Sequence, residues 1–223
     1  MNIDNIDYLG IDCIIKRGTA EVLEEGDKVT FVQDTVSDAY FLACEEAEEA
    51  IRVLDKFAYR DYELLVVIDS LADIIYDRYG FTGKLDCYQV AYYGEMPVLS
   101  GVLDTRVATV ADIPVISSVY HLISEEELKK VIERKNLVMG YHDGKLVGFI
   151  GEHLEGSMGQ LYIFPEFRRR GYATELEKIL IKKTMEEGLV PFGQVVKDNT
   201  ESLKLQQKLG LRRSDRTICW MWK

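Results

Sequence analysis

Residues 161–174 restrict the possible folds of this chain more than any other stretch. A strand-like run over 157–164 reaches Pro165. Arg168, Arg169 and Arg170 follow and lead to Gly171, where a helical period begins at once. Over 171–187 that period puts Ala173, Leu176, Ile179, Leu180 and Thr184 on one side, and Gly188 is a natural stop. A helix that starts straight out of a loop leaves its first N–H groups without carbonyl partners. The helix dipole adds partial positive charge at the same point. Such a junction is an anion site suited to a pyrophosphate. Gly171 lets backbone approach the anion without a Cβ in the way, and Ala173 keeps the next turn small. A Gly-Lys-Ser/Thr ending and a three-glycine fingerprint are both missing, which excludes the two commonest phosphate loops.

The three arginines are conspicuous because the chain is acidic. Its 223 residues carry a formal charge of −11, which argues against a general nucleic-acid binder. No apolar run approaches the roughly 20 residues that span a bilayer, so no membrane partner is expected. Residues 1–10 hold acids and no basic stretch, so no signal peptide is expected. Cys13, Cys44, Cys87 and Cys219 have no metal-like spacing, so neither a disulfide framework nor a metal site is expected. A reducing cytoplasm is the expected compartment.

A boundary is read at residues 98–104, dividing the chain into 1–100 and 101–223. After it comes a strand at 105–108. A helix over 112–120 follows, with Asp112 as cap and Pro114 in its first turn. Ser124 and Glu127 have capping-box spacing ahead of a helix to about 135. Strands at 137–141 and 145–153 flank the hairpin turn Asp143-Gly144. Beyond the 171–187 helix, a strand at 190–196, a helix at 201–209 and a strand at 217–222 complete the series. In the first part, strands are expected at 12–16, 19–23, 29–33, 63–68 and 86–92, and helices at 38–57 and 71–78. The glycine-punctuated segments at 76–81 and 206–211 echo one another, which is read as an internal duplication.

Arg168-x-x-Gly171-x-Ala173 after Leu161-x-Ile163-x-Pro165 resembles the acyl-CoA motif of the GNAT superfamily of N-acetyltransferases. Two further matches support it: Arg106-x-Ala108-Thr109-x-x-Asp112-Ile113-Pro114 upstream, and Asn199-x-x-Ser202-x-x-Leu205-x-x-Lys208-Leu209-Gly210-Leu211 downstream. The resemblance covers residues 104–223. It implies an α+β fold, with a mixed, mostly antiparallel twisted sheet flanked by helices. Residues 1–100 would form a second, degenerate GNAT-like half. It also implies an N-acyltransferase using acetyl-CoA or another acyl-CoA as co-substrate, with no metal. Leu161, Tyr162 and Ile163 would offer backbone groups to the pantetheine arm. One of their N–H groups would polarise the thioester carbonyl. Arg168, Arg169, Arg170, Gly171, Tyr172, Ala173 and Thr174 would cradle the pyrophosphate, and Asn199 would bond the pantetheine or help splay the adjoining strands. The acceptor, a primary amine of a small molecule or amino acid, would attack the thioester directly.

The sequence departs from the family's pattern in two places. Gln206 stands where many members place an acidic tyrosine, and it cannot release a proton. Ser157 stands where some carry a glutamate base. The base is left open among Ser157, His153, Glu152 and Glu155, and His153 reads equally as a surface residue at a hairpin end. Tyr76 is the corresponding tyrosine of the first half. There the equivalent strand-to-helix junction is read at residues 34–38, whose acids would repel a pyrophosphate. Gln206 and Ser157 keep a second reading open, a non-catalytic acyl-CoA sensor or interaction module. The chain is expected to act as a monomer or a homodimer.

Overall fold

A computed structural model describes residues 5–223; residues 1–4 of the stretch read for a leader lie outside them. The chain forms two compact units. One comprises the residues up to Ala91 together with Gln194–Lys223, and the other is Tyr92–Gly193. In each, strands form a mixed, mostly antiparallel sheet with helices packed against it, an α+β arrangement.

The first unit contains α1 (Leu9–Lys16), β1 (Ala20–Glu25), β2 (Val29–Asp34), β3 (Tyr40–Cys44), α2 (Ala47–Lys56), β4 (Leu64–Ile68), α3 (Asp69–Tyr79) and β5 (Gly83–Ala91). From the far end of the chain it takes α7 (Thr200–Lys208) and β11 (Arg212–Trp222). β1, β2 and β3 are successively antiparallel, and β3 and β4 are parallel. β11 lies between β4 and β5 and is antiparallel to both. The last strand of the sequence thus completes the sheet of the first unit. Phe31, Leu42, Leu54, Tyr62, Leu65, Ile68 and Ile75 form its core.

Two expectations fail in this unit. Residues 12–16 are not a strand but the end of α1, closed by an Asp12–Lys16 ion pair one turn apart. Short apolar runs do not distinguish a strand from a buried helix by period alone. The helix expected over 38–57 is instead β3 followed by α2. Tyr40–Cys44 is buried at every position between β2 and β4, so it lacks the alternation of a half-exposed strand. The first unit's junction after β3 is therefore Glu45-Glu46. Residues 34–38 are a turn between two strands, where the Asp34 carboxylate accepts from the Ser37 N–H at 2.9 Å and hydroxyl at 2.6 Å.

The second unit contains β6 (Asp104–Val107), α4 (Ile113–Ser117), α5 (Glu125–Glu133), β7 (Leu137–His142), β8 (Lys145–Glu152), β9 (Met158–Ile163) and α6 (Tyr172–Glu186), and it ends within β10 (Phe192–Val196). β6 to β9 are antiparallel in sequence order, and β9 meets β10 in parallel at Met158 and Gly193. Asp143 and Gly144 both have positive φ (49° and 72°), which suits a tight hairpin. The helix expected over 112–120 is shorter. A 3-10 turn at Val110–Asp112, closed by a Thr109/Asp112 capping box, precedes α4. Ser124 caps α5, accepting the Glu127 N–H at 3.1 Å.

Candidate functional site

The site begins with an irregularity in β9. Tyr162 faces Phe149 and Gly159 faces Gly151, so Gln160 and Leu161 together oppose the single residue Ile150. Gln160 takes φ +52° to make this bulge. The bulge re-aims the half-buried backbone of Leu161, Tyr162 and Ile163. On this face Tyr120 packs edge-on to Phe149 at 6.2 Å, and Phe149 stacks on Tyr162 at 5.8 Å.

Beyond β9 the chain makes a 3-10 turn at Pro165–Phe167 and returns extended at Arg168. Arg169 (φ +62°) and Gly171 (φ +86°) both adopt left-handed backbone, and Gly171 is the N-cap of α6. No side chain caps this helix, so its first N–H groups are left for an outside acceptor. A Cβ at Gly171 would meet nothing within 4 Å, so the cradle is open. Arg168 donates through Nε to the Ile163 carbonyl at 3.0 Å and lies over the Tyr162 ring. Arg170 donates to the Glu166 carbonyl at 3.0 Å. Among the described residues no carboxylate pairs with any of the three exposed arginines. The loop therefore brings together open N–H groups, a glycine without crowding and unneutralised positive charge, a set that fits a pyrophosphate. Tyr172 contributes backbone alone, because its ring is buried against His142. Ala173 and Thr174 are half-buried in the first turn.

The β8–β9 turn gathers Ser157 and His153. The His153 N–H donates to the Ser157 carbonyl at 2.8 Å, and the Gly156 N–H to the His153 carbonyl at 2.9 Å. Ser157 is buried, and its hydroxyl donates to the buried Glu155 carboxylate. Glu127 of α5, which sequence reasoning treated only as a capping residue, lies within electrostatic reach of this turn. Burial pushes its carboxyl above the usual range; His153 opposes that shift and Glu155 adds to it. Glu152, another base candidate, is buried and engaged by Lys183 at 3.3 Å and Thr184 at 3.2 Å.

Residues 137–221, from β7 through β11, match the family model for FR47-like protein. In structure the chain is similar to a Drosophila protein, with TM-score 0.72 and 14% identity over 98% of this chain and 90% of that one. It is similar to a GCN5-related N-acetyltransferase from Kribbella flavida, with TM-score 0.59 and 11% identity over 98% and 94%. An acetyltransferase of the GNAT family from Colwellia psychrerythraea gives TM-score 0.54 and 14% identity over 92% and 84%. The chain has the GNAT fold. No curated protein matches its sequence.

Within this GNAT fold, Asn199 and Gln206 belong to the first unit, while the arginine loop, Ser157 and His153 belong to the second. Asn199 caps α7, its Oδ1 accepting the Ser202 N–H at 3.1 Å. Gln206 is buried on α7, and its carbonyl accepts the Leu211 N–H at 3.0 Å. The four cysteines are buried, and none of them is in a disulfide. Among the described residues no His, Cys, Asp and Glu cluster could hold a metal. None of their helices is long and apolar enough to cross a membrane.

Proposed function

We propose that the chain is a cytoplasmic N-acyltransferase that binds acetyl-CoA, or a longer acyl-CoA, at the β9–α6 junction and passes the acyl group to a primary amine. The observation that carries this reading is the pairing of the β9 bulge with the open, left-handed Arg169–Gly171 loop. The first supplies re-aimed backbone N–H groups for a thioester carbonyl, and the second an anion cradle for the pyrophosphate. The amine nitrogen attacks the thioester carbon, the C–S bond breaks, and the thiol leaves with a proton. Ser157 orients Glu155.

Residues 1–100 are assigned to a degenerate GNAT-like half that does not take acyl-CoA. Their junction after β3 presents Glu45, which is held by Arg216 at 2.7 Å and by the Tyr8 hydroxyl at 2.7 Å. A carboxylate already occupies the arginine there. A non-catalytic acyl-CoA sensor is the second reading, favoured by Gln206 standing where a tyrosine acid is expected.

Isothermal titration with acetyl-CoA and with free CoA tests the assignment. Micromolar or tighter binding is expected, abolished by Gly171→Glu in a folded variant. Binding of neither ligand overturns it. Binding without turnover over a broad panel of amines selects the sensor.

A further inference from the structure

The first turn of α6 lacks the usual support. A helix start is ordinarily held by a cap side chain that takes up one of its N–H groups. Gly171 has no side chain to offer, and a cap would occupy the donors that a pyrophosphate needs. Uncapped helix ends fray. This one is held from its other side, by the stretch of chain that leads into β6.

Four polar ties fasten residues 98–102 as a strap. Lys178 Nζ donates to the Val98 carbonyl at 3.2 Å. One oxygen of Glu175, a side chain buried in α6, accepts the Ser100 and Gly101 N–H groups. The fourth tie runs to β7, where His142 Nδ1 lies 2.9 Å from the Val102 carbonyl. A carbonyl only accepts, so that nitrogen carries a proton. Asp143, 3.6 Å from Nε2 and largely exposed, does not compete for it. With one edge fixed in this way, the His142 ring lies against the Tyr172 ring, their centroids 5.2 Å apart. Tyr172 is the first residue of α6, and its burial leaves the ring little room to turn. Two positions earlier on the same face of β7, a Cβ at Gly140 would lie 2.9 Å from Leu176 and 3.4 Å from Leu103. The end of the strap and α6 therefore pack on one strip of β7.

Resting on the acyltransferase reading, we infer that His142 is a positioning residue for the cofactor: strapped to Val102, it holds Tyr172 so that the first N–H groups of α6 stand ready for the pyrophosphate. It acts on a side chain from behind the turn, so the backbone donors stay open. The gain is preorganisation, because donors already fixed need not be ordered by the arriving anion. Glu175 and Lys178 serve the same end from within α6, by keeping the strap in place.

The test is titration of the full chain with acetyl-CoA and with free CoA, which share the pyrophosphate and differ at the sulfur, in the unaltered protein, His142→Ala and His142→Asn. His142→Ala, checked as folded by circular dichroism, should bind both ligands about five- to tenfold more weakly, the equivalent of one lost helix cap. His142→Asn keeps a donor for the Val102 carbonyl and should recover part of the loss. A purely structural role would lower the melting temperature and leave both affinities alone. Affinities within twofold of the unaltered protein in folded His142→Ala overturn the inference, as does a loss confined to acetyl-CoA or an asparagine variant no better than alanine. If the variants do not fold, the unaltered protein gives the answer by NMR. The imidazole signals of His142, one of three histidines, should move as free CoA saturates the loop, and signals that stay in place overturn the inference. If the unaltered protein binds neither ligand, the acyltransferase reading itself falls, and this inference with it.

Discussion

The Glu175 carboxylate, in the first turn of α6, accepts the backbone N–H of Ser100 at 2.7 Å. The same oxygen accepts Gly101 N–H at 3.0 Å. The segment leading into β6 is thereby tied to the helix that starts at the arginine loop. Glu175→Ala would leave two backbone donors without their acceptor, so a loss of about 1–3 kcal/mol is expected in urea unfolding. Glu175→Gln keeps an acceptor and should lose less. Hydrogen exchange at Ser100 and Gly101 should accelerate more in the alanine variant.

Gly148 and Gly83 make a second comparison. A Cβ at Gly148 would come within 2.2 Å of the Tyr162 carbonyl oxygen and 3.1 Å of Ile163 Cα, backbone atoms of a paired strand that cannot step aside. A Cβ at Gly83 would meet the Trp222 indole at 2.2 Å, but that side chain is 41% exposed and can swing away. Gly148→Ala should cost about 3 kcal/mol, and Gly83→Ala clearly less, in parallel denaturant melts.

Asp112 sets an acid limit on the turn ahead of α4. The Arg106 guanidinium holds its carboxyl down at about 2, bonding it at 2.6 and 2.8 Å, with help from the Thr109 N–H and hydroxyl. A depressed carboxyl stabilises the fold above its unfolded value near ~4 and loses that contribution as pH falls toward 2. Because Arg106 is partly exposed, about 1–2 kcal/mol is expected. Asp112→Asn should be less stable than the unaltered protein at pH 7, and the gap should narrow as pH falls below about 4 and close only once it has passed below about 2.

Arg169 allows charge to be separated from backbone shape. It already has left-handed φ, so Arg169→Gly keeps the loop's conformation while removing one positive charge. Titration at low salt should show acetyl-CoA affinity reduced by about two- to fivefold, with a shallower dependence on ionic strength. An unchanged affinity would mean that this guanidinium does not act on the pyrophosphate.

Local chemistry was readable along most of the chain. Gly171, Gly188 and Gly210 all have the positive φ that punctuation implies, and Asn199 and Ser124 are the caps their positions suggest. The strand–loop–helix at 158–186 follows from residues adjacent in sequence. Two local signals were misread. Tyr40–Cys44 lacks alternation because it is covered on both faces, and α1 is too short for its period to stand out. Glu127 was hidden because a glutamate three residues after Ser124 has a sufficient local explanation. Its electrostatic relation to His153 and Glu155 joins residues far apart in sequence, and nothing in spacing reports that.

Sequence by itself determined the open strand–loop–helix junction at 158–186, because the N–H groups, the glycine and the arginines that build it are consecutive and need only backbone geometry. It also determined that Thr217–Trp222 is extended. It did not determine which strands flank that segment. Only the tertiary structure inserts β11 between β4 and β5, pairing Ile218 with both Ile68 and Cys87 across more than a hundred residues of chain. Strand alternation fixes which face a side chain takes, but the choice of neighbour depends on which apolar faces remain uncovered once the rest of the unit has packed. No local stretch of sequence encodes that choice.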